Sequence, residues 1–547
     1  MTHSRAKSVW GGLIGLALVS TSALFSTSVL AQSSIEVESL DTLDPLEVRL
    51  SDAALDDTLW SGTSIDMLRL LLDGLPDARR GQYEAPALAE LSRAVLVSGG
   101  RPPRGGRGDD DLAWLRADRL LASGGAHDAF DLLERTPDVH ERPDLALLHT
   151  ELAFALRQDA TACRTARALI EEREQPYWQR ARAYCLALEG LNAGAELSAD
   201  LARDQSPDPD FDRLLFGLTL GGVIEETMPS PRNGLTLSMA RNQPGDGRST
   251  PEIYLSEAAP AWLTRLFEQD SLPPLTPSQD PAAALVLAEA ERGEARRVLL
   301  ESVLVQPRDR EAAAVALEYL LSDAAEDGRF LDAAHYYGAE VQSLPINTDT
   351  LQAGYRFALA ALAVGDVETA RAWRNGLVNG PEISPSEDPI AEAIVENAFA
   401  APVQAETWVG PAPARIHQLD LIIAIAADEL DLSRTHTLVQ DWPQAAGRQG
   451  AQDVAMLVAL GLSQPDNYRL NLIDARPTRI PPSLMAMEAA TAAGADGESV
   501  LLALRVMLEA EGLTPYAAGR IAQTLDAAGL RAHVLRLVTD RLISAAG

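Results

Sequence analysis

The chain has 547 residues, 46 Lys+Arg against 79 Asp+Glu, a net charge of −33 and only 5% aromatic residues. Such acidity argues against nucleic acid and anionic bilayers as partners. A composition dominated by Ala and Leu favours closely packed helices over sheet, and no sustained alternating run rich in Val, Ile and Thr predicts a strand.

Residues 1–31 read as a secretory signal. Arg5 and Lys7 form the positive start, Val9 to Val19 the apolar run, and Val29-Leu30-Ala31 a small-residue cleavage site, so a mature chain is expected to begin at Gln32. No Cys follows the site, so lipidation is not expected. An uncleaved anchor spanning 9–31 is the rival reading, although Ser and Thr interrupt that run. No other segment approaches a membrane span. These features place the protein in the periplasm of a Gram-negative bacterium, with no stable membrane insertion once the leader is removed.

Residues 32–110 form an N-terminal helical segment that ends in a Gly-rich, charged stretch, SGGRPPRGGRGDDD from 98 to 111. No strand precedes that stretch, so it reads as a flexible linker and not as a phosphate loop.

From 111 to 228 the sequence repeats. Pro143, Pro176 and Pro209 stand 33 residues apart, each two residues before a large apolar residue: Leu145, Trp178 and Phe211. Leu112 extends that series backwards by the same step. Each proline suits the first turn of a helix, where its missing N–H costs nothing. Ala117, Thr150 and Ala183 are small at the same period, as are Ala129, Ala162 and Ala195. Gly124 and Gly190 fall between these two series, where a turn needs them. The pattern is helix A, turn, helix B.

A Pro/Gly-rich linker, 229–282, follows, with one short apolar helix near Ala261–Phe267. Residues 283–378 form a second array, in which Gly328 precedes Ala333, and Gly365 precedes Ala370, at the spacing of the first. A further linker spans 379–415. The C-terminal domain, 416–547, contains a long loop at 463–482 and then helices near 484–493, 498–511, 514–527 and 530–544, with Gly512 and Gly529 as stops.

The period, the small residue in helix A and the alanine in helix B resemble the tetratricopeptide-like (TPR-like) family of helical repeats. That resemblance covers 111–223 and 311–378, and it implies an all-α fold: a right-handed α-solenoid of antiparallel helix pairs that stack to bury one continuous core. The sequence departs from the family where an apolar residue normally precedes the small one. Arg116, His149 and Arg182 stand there, 33 apart. Because the family's A helices line an inner groove, these three basic residues are candidate binding residues for a carboxylate. Burial or pairing with nearby acids is the competing reading.

Cys163 and Cys185 are the two cysteines. They fall on adjacent helices at equal distances from the turn near Glu174–Gln175, so an antiparallel hairpin sets them opposite each other. A disulfide there closes a loop of about 23 residues, worth about 3 kcal/mol in the chain-entropy model.

Histidines are scattered, and no zinc motif, calcium loop, Walker loop or nucleophile elbow occurs. No catalytic residue, metal or cofactor is therefore expected, and the chain is not expected to be an enzyme. The expected role is an exported scaffold or adaptor for protein partners. The alternative is peptidoglycan turnover, either as an accessory factor or as a lytic-transglycosylase-like enzyme. Glu-Ser pairs occur at 38–39, 301–302 and 498–499, but none is followed by the run such an enzyme carries.

Overall fold

Proline and aspartate start most of the helices, and glycine ends many of them. The computed structural model describes residues 43–50, 55–80, 83, 85–220, 228–244, 253–270, 277–306, 309–380, 411–430, 450–462, 480–509 and 513–546. Among these residues no strand forms, and an isolated bridge joins Ser64 and Arg104. The fold is all-helical. The leader, most of the 379–415 linker and most of the 463–482 loop lie outside the described residues.

The helices run in chain order. First come α1 (Ile65–Asp73), α2 (Pro86–Leu96), α3 (Asp110–Ala122), α4 (Ala126–Glu134), α5 (Pro143–Ala155) and α6 (Asp159–Ala168). Then follow α7 (Pro176–Leu188), α8 (Asn192–Gln205), α9 (Pro209–Leu220), α10 (Gly234–Arg241), α11 (Ala261–Asp270) and α12 (Pro281–Ala290). Next are α13 (Gly293–Leu304), α14 (Arg310–Glu326), α15 (Phe330–Ser343), α16 (Gly354–Ala363), α17 (Val367–Asn379) and α18 (Pro413–Ala426). The series ends with α19 (450–459), α20 (Pro482–Ala493), α21 (Asp496–Glu509), α22 (Pro515–Ala527) and α23 (Arg531–Ala546).

The 33-residue register appears directly in this order. Pro143, Pro176 and Pro209 each open a helix. Asp109 caps α3 by accepting from the Leu112 N–H at 2.9 Å. Consecutive helices from α3 to α9 pack on one another. The small residues lie at those contacts: Ala117, Thr150 and Ala183 on the first helix of each pair, and Ala129, Ala162 and Ala195 on the second, are all buried. Gly124 and Gly190 take φ of +90° and +74° between the paired helices. In the middle pair the equivalent position is Arg157, held at φ +61°, a conformation that disfavours a Cβ.

The second array, α12 to α17, is built the same way, with Gly328 and Gly365 in its turns. Ala370 is fully buried as its spacing predicts. At the other turn the buried alanine is Ala334, one residue past the expected Ala333.

Two features depart from the sequence reading. The Gly-rich stretch at 98–111 is pinned, not a loose linker: the Gly100 N–H donates to the Leu46 carbonyl at 2.9 Å and the Arg101 N–H to Asp57 at 3.0 Å. The 229–282 region also contains α10, which packs back on α5 and α9 and is buried through Leu235, Leu237, Met239 and Ala240. Gly234 makes that return possible, because a Cβ there would stand 2.1 Å from the Glu151 carbonyl oxygen.

Residues Leu43–Gly547 hold together as one unit because its outer helices meet. α1 packs on α21, and α2 packs on α23, which also touches α15, α16 and α18. At this seam Arg536 of α23 donates to the Leu362 carbonyl at 2.9 Å and approaches the Asp540 carboxylate at 3.1 Å. Asp540 is 3% exposed. Burial raises its carboxyl to about 7, nearby Glu90 pushes the same way, and Arg536 opposes. His335 and His533 face the same seam, and burial lowers both.

Candidate functional site: a groove lined by the repeat

The first helices of successive pairs place equivalent residues around one cavity of about 1180 Å³. Asp111, Asp144 and Tyr177 occupy one register position, 33 apart. Trp114 and Leu147 share a second, Leu115 and Leu148 a third, and Asp118 and Glu151 a fourth. The opposite wall comes from Arg69 and Arg79, from Arg232 and Asn233 just before α10, and from Glu257 to Pro260 with Trp262.

The wall is apolar at its centre and acidic around it. Trp114 and Leu148 are half-buried, and Leu147 is exposed. Six carboxylates (Asp73, Asp111, Asp118, Asp144, Glu151 and Glu257) face three guanidinium groups, so the lining is net negative. Two of those guanidinium groups are engaged: Arg69 pairs with Asp109 at 2.8 Å, and Arg232 pairs with Asp208. Asp118 pairs with Arg119 and accepts from the Ala78 N–H at 3.3 Å. At the deep end one Glu151 oxygen accepts from the Gly234 N–H at 2.7 Å, while its carboxyl also faces the Tyr177 hydroxyl. Burial raises the Glu151 carboxyl above its ordinary range, and burial together with Glu151 raises Tyr177 well above its own.

The three basic candidates from the sequence do not form a line in this groove. Arg116 is 1% exposed, and its guanidinium donates to five backbone carbonyls: Leu96 (2.8 Å), Pro45 (3.1 Å), Leu46 (3.3 Å), Val48 (2.8 Å) and Ser98 (3.1 Å). Desolvation lowers it to about 9, so it stays charged at neutral pH while tying 45–48 and 96–98 to α3. His149 is buried, stacked on Phe130 at 5.3 Å, with Nε2 2.9 Å from Glu134 and Nδ1 3.1 Å from Thr165. Desolvation lowers its pKa against the pull of Glu134. Arg182 is half-buried. The groove positions sit five, two and one residues before this trio and two after it, which on a helix is a different face. Leu147 and Trp114 at one register position, flanked by acids at the same period, were the available signal.

Cys163 of α6 and Cys185 of α7 form a disulfide with a Cα–Cα distance of 5.6 Å. Of the Glu-Ser glutamates, Glu301 is 2% exposed and accepts from the Tyr337 hydroxyl at 2.8 Å and from Arg297 at 2.9 Å, and Glu38 lies outside the described residues. Among the described residues, Asp138, His140 and Glu141 bring possible ligand atoms within 4.8 Å of one another, at the largely exposed short helical turn before α5.

A larger space of about 2490 Å³ lies among α2, α11, α13–α15 and α23. Its walls are largely self-neutralised: Arg296 meets Asp323 at 2.6 Å, Arg297 meets Glu294 at 2.6 Å, and Arg329 meets Asp327 at 2.9 Å. The smaller groove, with Leu147 exposed among half-buried Trp114, Leu115 and Leu148, is the stronger candidate.

No protein-family model, curated protein or solved structure matches the chain.

Proposed function

We propose that the protein is an exported TPR-like solenoid that acts as a scaffold, holding an extended, apolar and basic segment of a partner protein in the groove on α3, α5 and α7. One observation carries this reading: four register positions of the repeat line a single cavity. A repeat that presents the same face several times offers a long surface for an unfolded or extended chain. The apolar centre supplies contact area, and the acidic surround favours Lys and Arg on the ligand.

Photo-crosslinking tests the reading in the native compartment. A crosslinker at Leu147 should capture one discrete partner, and Trp114→Ala with Asp144→Lys should abolish the adduct. A crosslinker at Val286, exposed on α12, should capture nothing comparable. Equal capture at both positions, or none at Leu147, would overturn the groove assignment. Export has its own test: N-terminal sequencing of the native protein should begin at Gln32.

A further inference from the structure

The connection between α4 and α5 draws together three side chains that the groove does not use. Its backbone folds back on itself: Asp138 stands at φ +53°, Val139–Glu141 form a single 3₁₀ turn, and the Glu141 N–H donates to the Asp138 carbonyl at 2.9 Å. Residues three apart eclipse in such a turn, so Asp138 and Glu141 fall on one side. His140 joins them, and one ligand atom from each of the three lies within 4.8 Å of the other two. The turn is seated on α5 and α6, and half-buried Val139 packs against the core beneath it.

Two carboxylates therefore converge on an imidazole with no guanidinium between them. Among the described residues, none of the three side chains makes a hydrogen bond or an ion pair. The arginines on either side are committed elsewhere: Arg142 pairs with Asp110 at 2.7 Å, and Arg135 donates to the Arg49 carbonyl at 3.1 Å. The next connection of the array has Glu171, Arg173 and Glu174 at the same three positions, 33 residues on. There the sequence places a fixed cation with its two acids. Here that position is His140, and an imidazole offers a nitrogen lone pair in place of a charge.

We propose that Asp138, His140 and Glu141 bind a divalent transition-metal ion of the zinc class. One imidazole nitrogen with two carboxylate oxygens is a zinc-type donor set, and water completes the coordination. Calcium and magnesium require a fuller shell of oxygens, so the nitrogen and the small number of donors disfavour both. Metal bonds of about 2 Å ask the three groups to close in slightly, which the exposed Asp138 and Glu141 side chains do by rotation. A bound ion clips the joint between the α3–α4 and α5–α6 pairs. The inference uses none of the groove residues and does not depend on the groove reading.

Titration of the full-length chain, free of any histidine tag, with zinc chloride against a chromophoric zinc indicator tests the site. Zinc should bind saturably in the micromolar range or below. His140→Ala and the milder His140→Gln should each weaken that binding at least about tenfold, and so should Asp138→Asn combined with Glu141→Gln. The melting temperature of the metal-free variants should stay within a few degrees of the wild type. His127→Ala, outside the turn, should leave zinc binding unchanged, and a large excess of calcium chloride should not displace the ion. Absence of saturable zinc binding would overturn the proposal. So would binding that survives both His140 variants, or displacement by calcium at comparable concentration, because either result shows an adventitious ion only, held by the acidic surface.

Discussion

The bridged pairs α5–α8 and the seams that join distant parts of the chain are held by different chemistry. In α5–α8 the helices meet through Thr150, Ala183, Ala162 and Ala195, turn on Gly190 or Arg157, and are linked by Cys163–Cys185. Contacts there are mostly between neighbours in sequence. The seams use buried charge instead: Arg116 gathers five carbonyls from 45–48 and 96–98, and Arg536 with Asp540 sits where α23 meets α2 and α16. Small residues allow close approach but many registers. A buried ionised group tolerates only the arrangement that satisfies it, so it specifies a seam more than it strengthens one.

The largest effect should come from breaking a seam. Arg116→Met takes the guanidinium from the Pro45, Val48, Leu96 and Ser98 carbonyls and leaves the Leu46 carbonyl with the Gly100 N–H alone, and should cost about 4 kcal/mol or more in urea unfolding. A loss below about 1 kcal/mol would show that water replaces the guanidinium readily.

Within the pairs, the bridge should matter next. Cys185→Ala is expected to lower stability by about 2–4 kcal/mol. Titration of denatured, unreduced wild-type protein should find no free thiol, and two per chain would remove the covalent half of the comparison.

Asp540 sharpens the contrast through pH. Its folded pKa, about 7, lies above the ordinary 3.8, so the folded state binds the extra proton. Stability from this group is therefore full near pH 4 and falls as pH rises toward 7. Asp540→Asn should stabilise the protein by about 2–3 kcal/mol at pH 8 and by little near pH 4. Thermal melts at the two pH values measure the difference, and a pH-independent effect would contradict it.

The smallest effect belongs to a turn. Arg157 is exposed at φ +61° where the flanking repeats have Gly124 and Gly190. Arg157→Gly should raise stability by about 1 kcal/mol through relief of that backbone conformation. No gain in the melting temperature would mean that the arginine's own contacts offset the strain.

What the sequence revealed follows the same division. Prolines at helix starts, glycines in turns and small residues at a fixed period are local signals, and they located α3–α9 and the C-terminal helices within a few residues. α10 escaped because eight residues carry too little periodicity, and its place depends on Gly234 lying against the Glu151 backbone and donating to the Glu151 carboxylate, 83 residues away in sequence. Arg116, His149 and Arg182 share their helices with the cavity lining but stand on a different face. Arg116 looked like a binding group because its partners are main-chain carbonyls, which leave no side-chain pattern to read. The meeting of α2 with α23 had no signal at all in either helix alone.

The disulfide also gives the chain a mechanical asymmetry. It joins residues 22 apart, so a pulling force applied along the backbone would bypass everything between them. In a single-molecule extension the protein would yield about 75 Å less contour than its residue count implies, and a reductant would release the missing length. The α6–α7 turn is thus shielded from load that the neighbouring turns, with no covalent bypass, must bear directly.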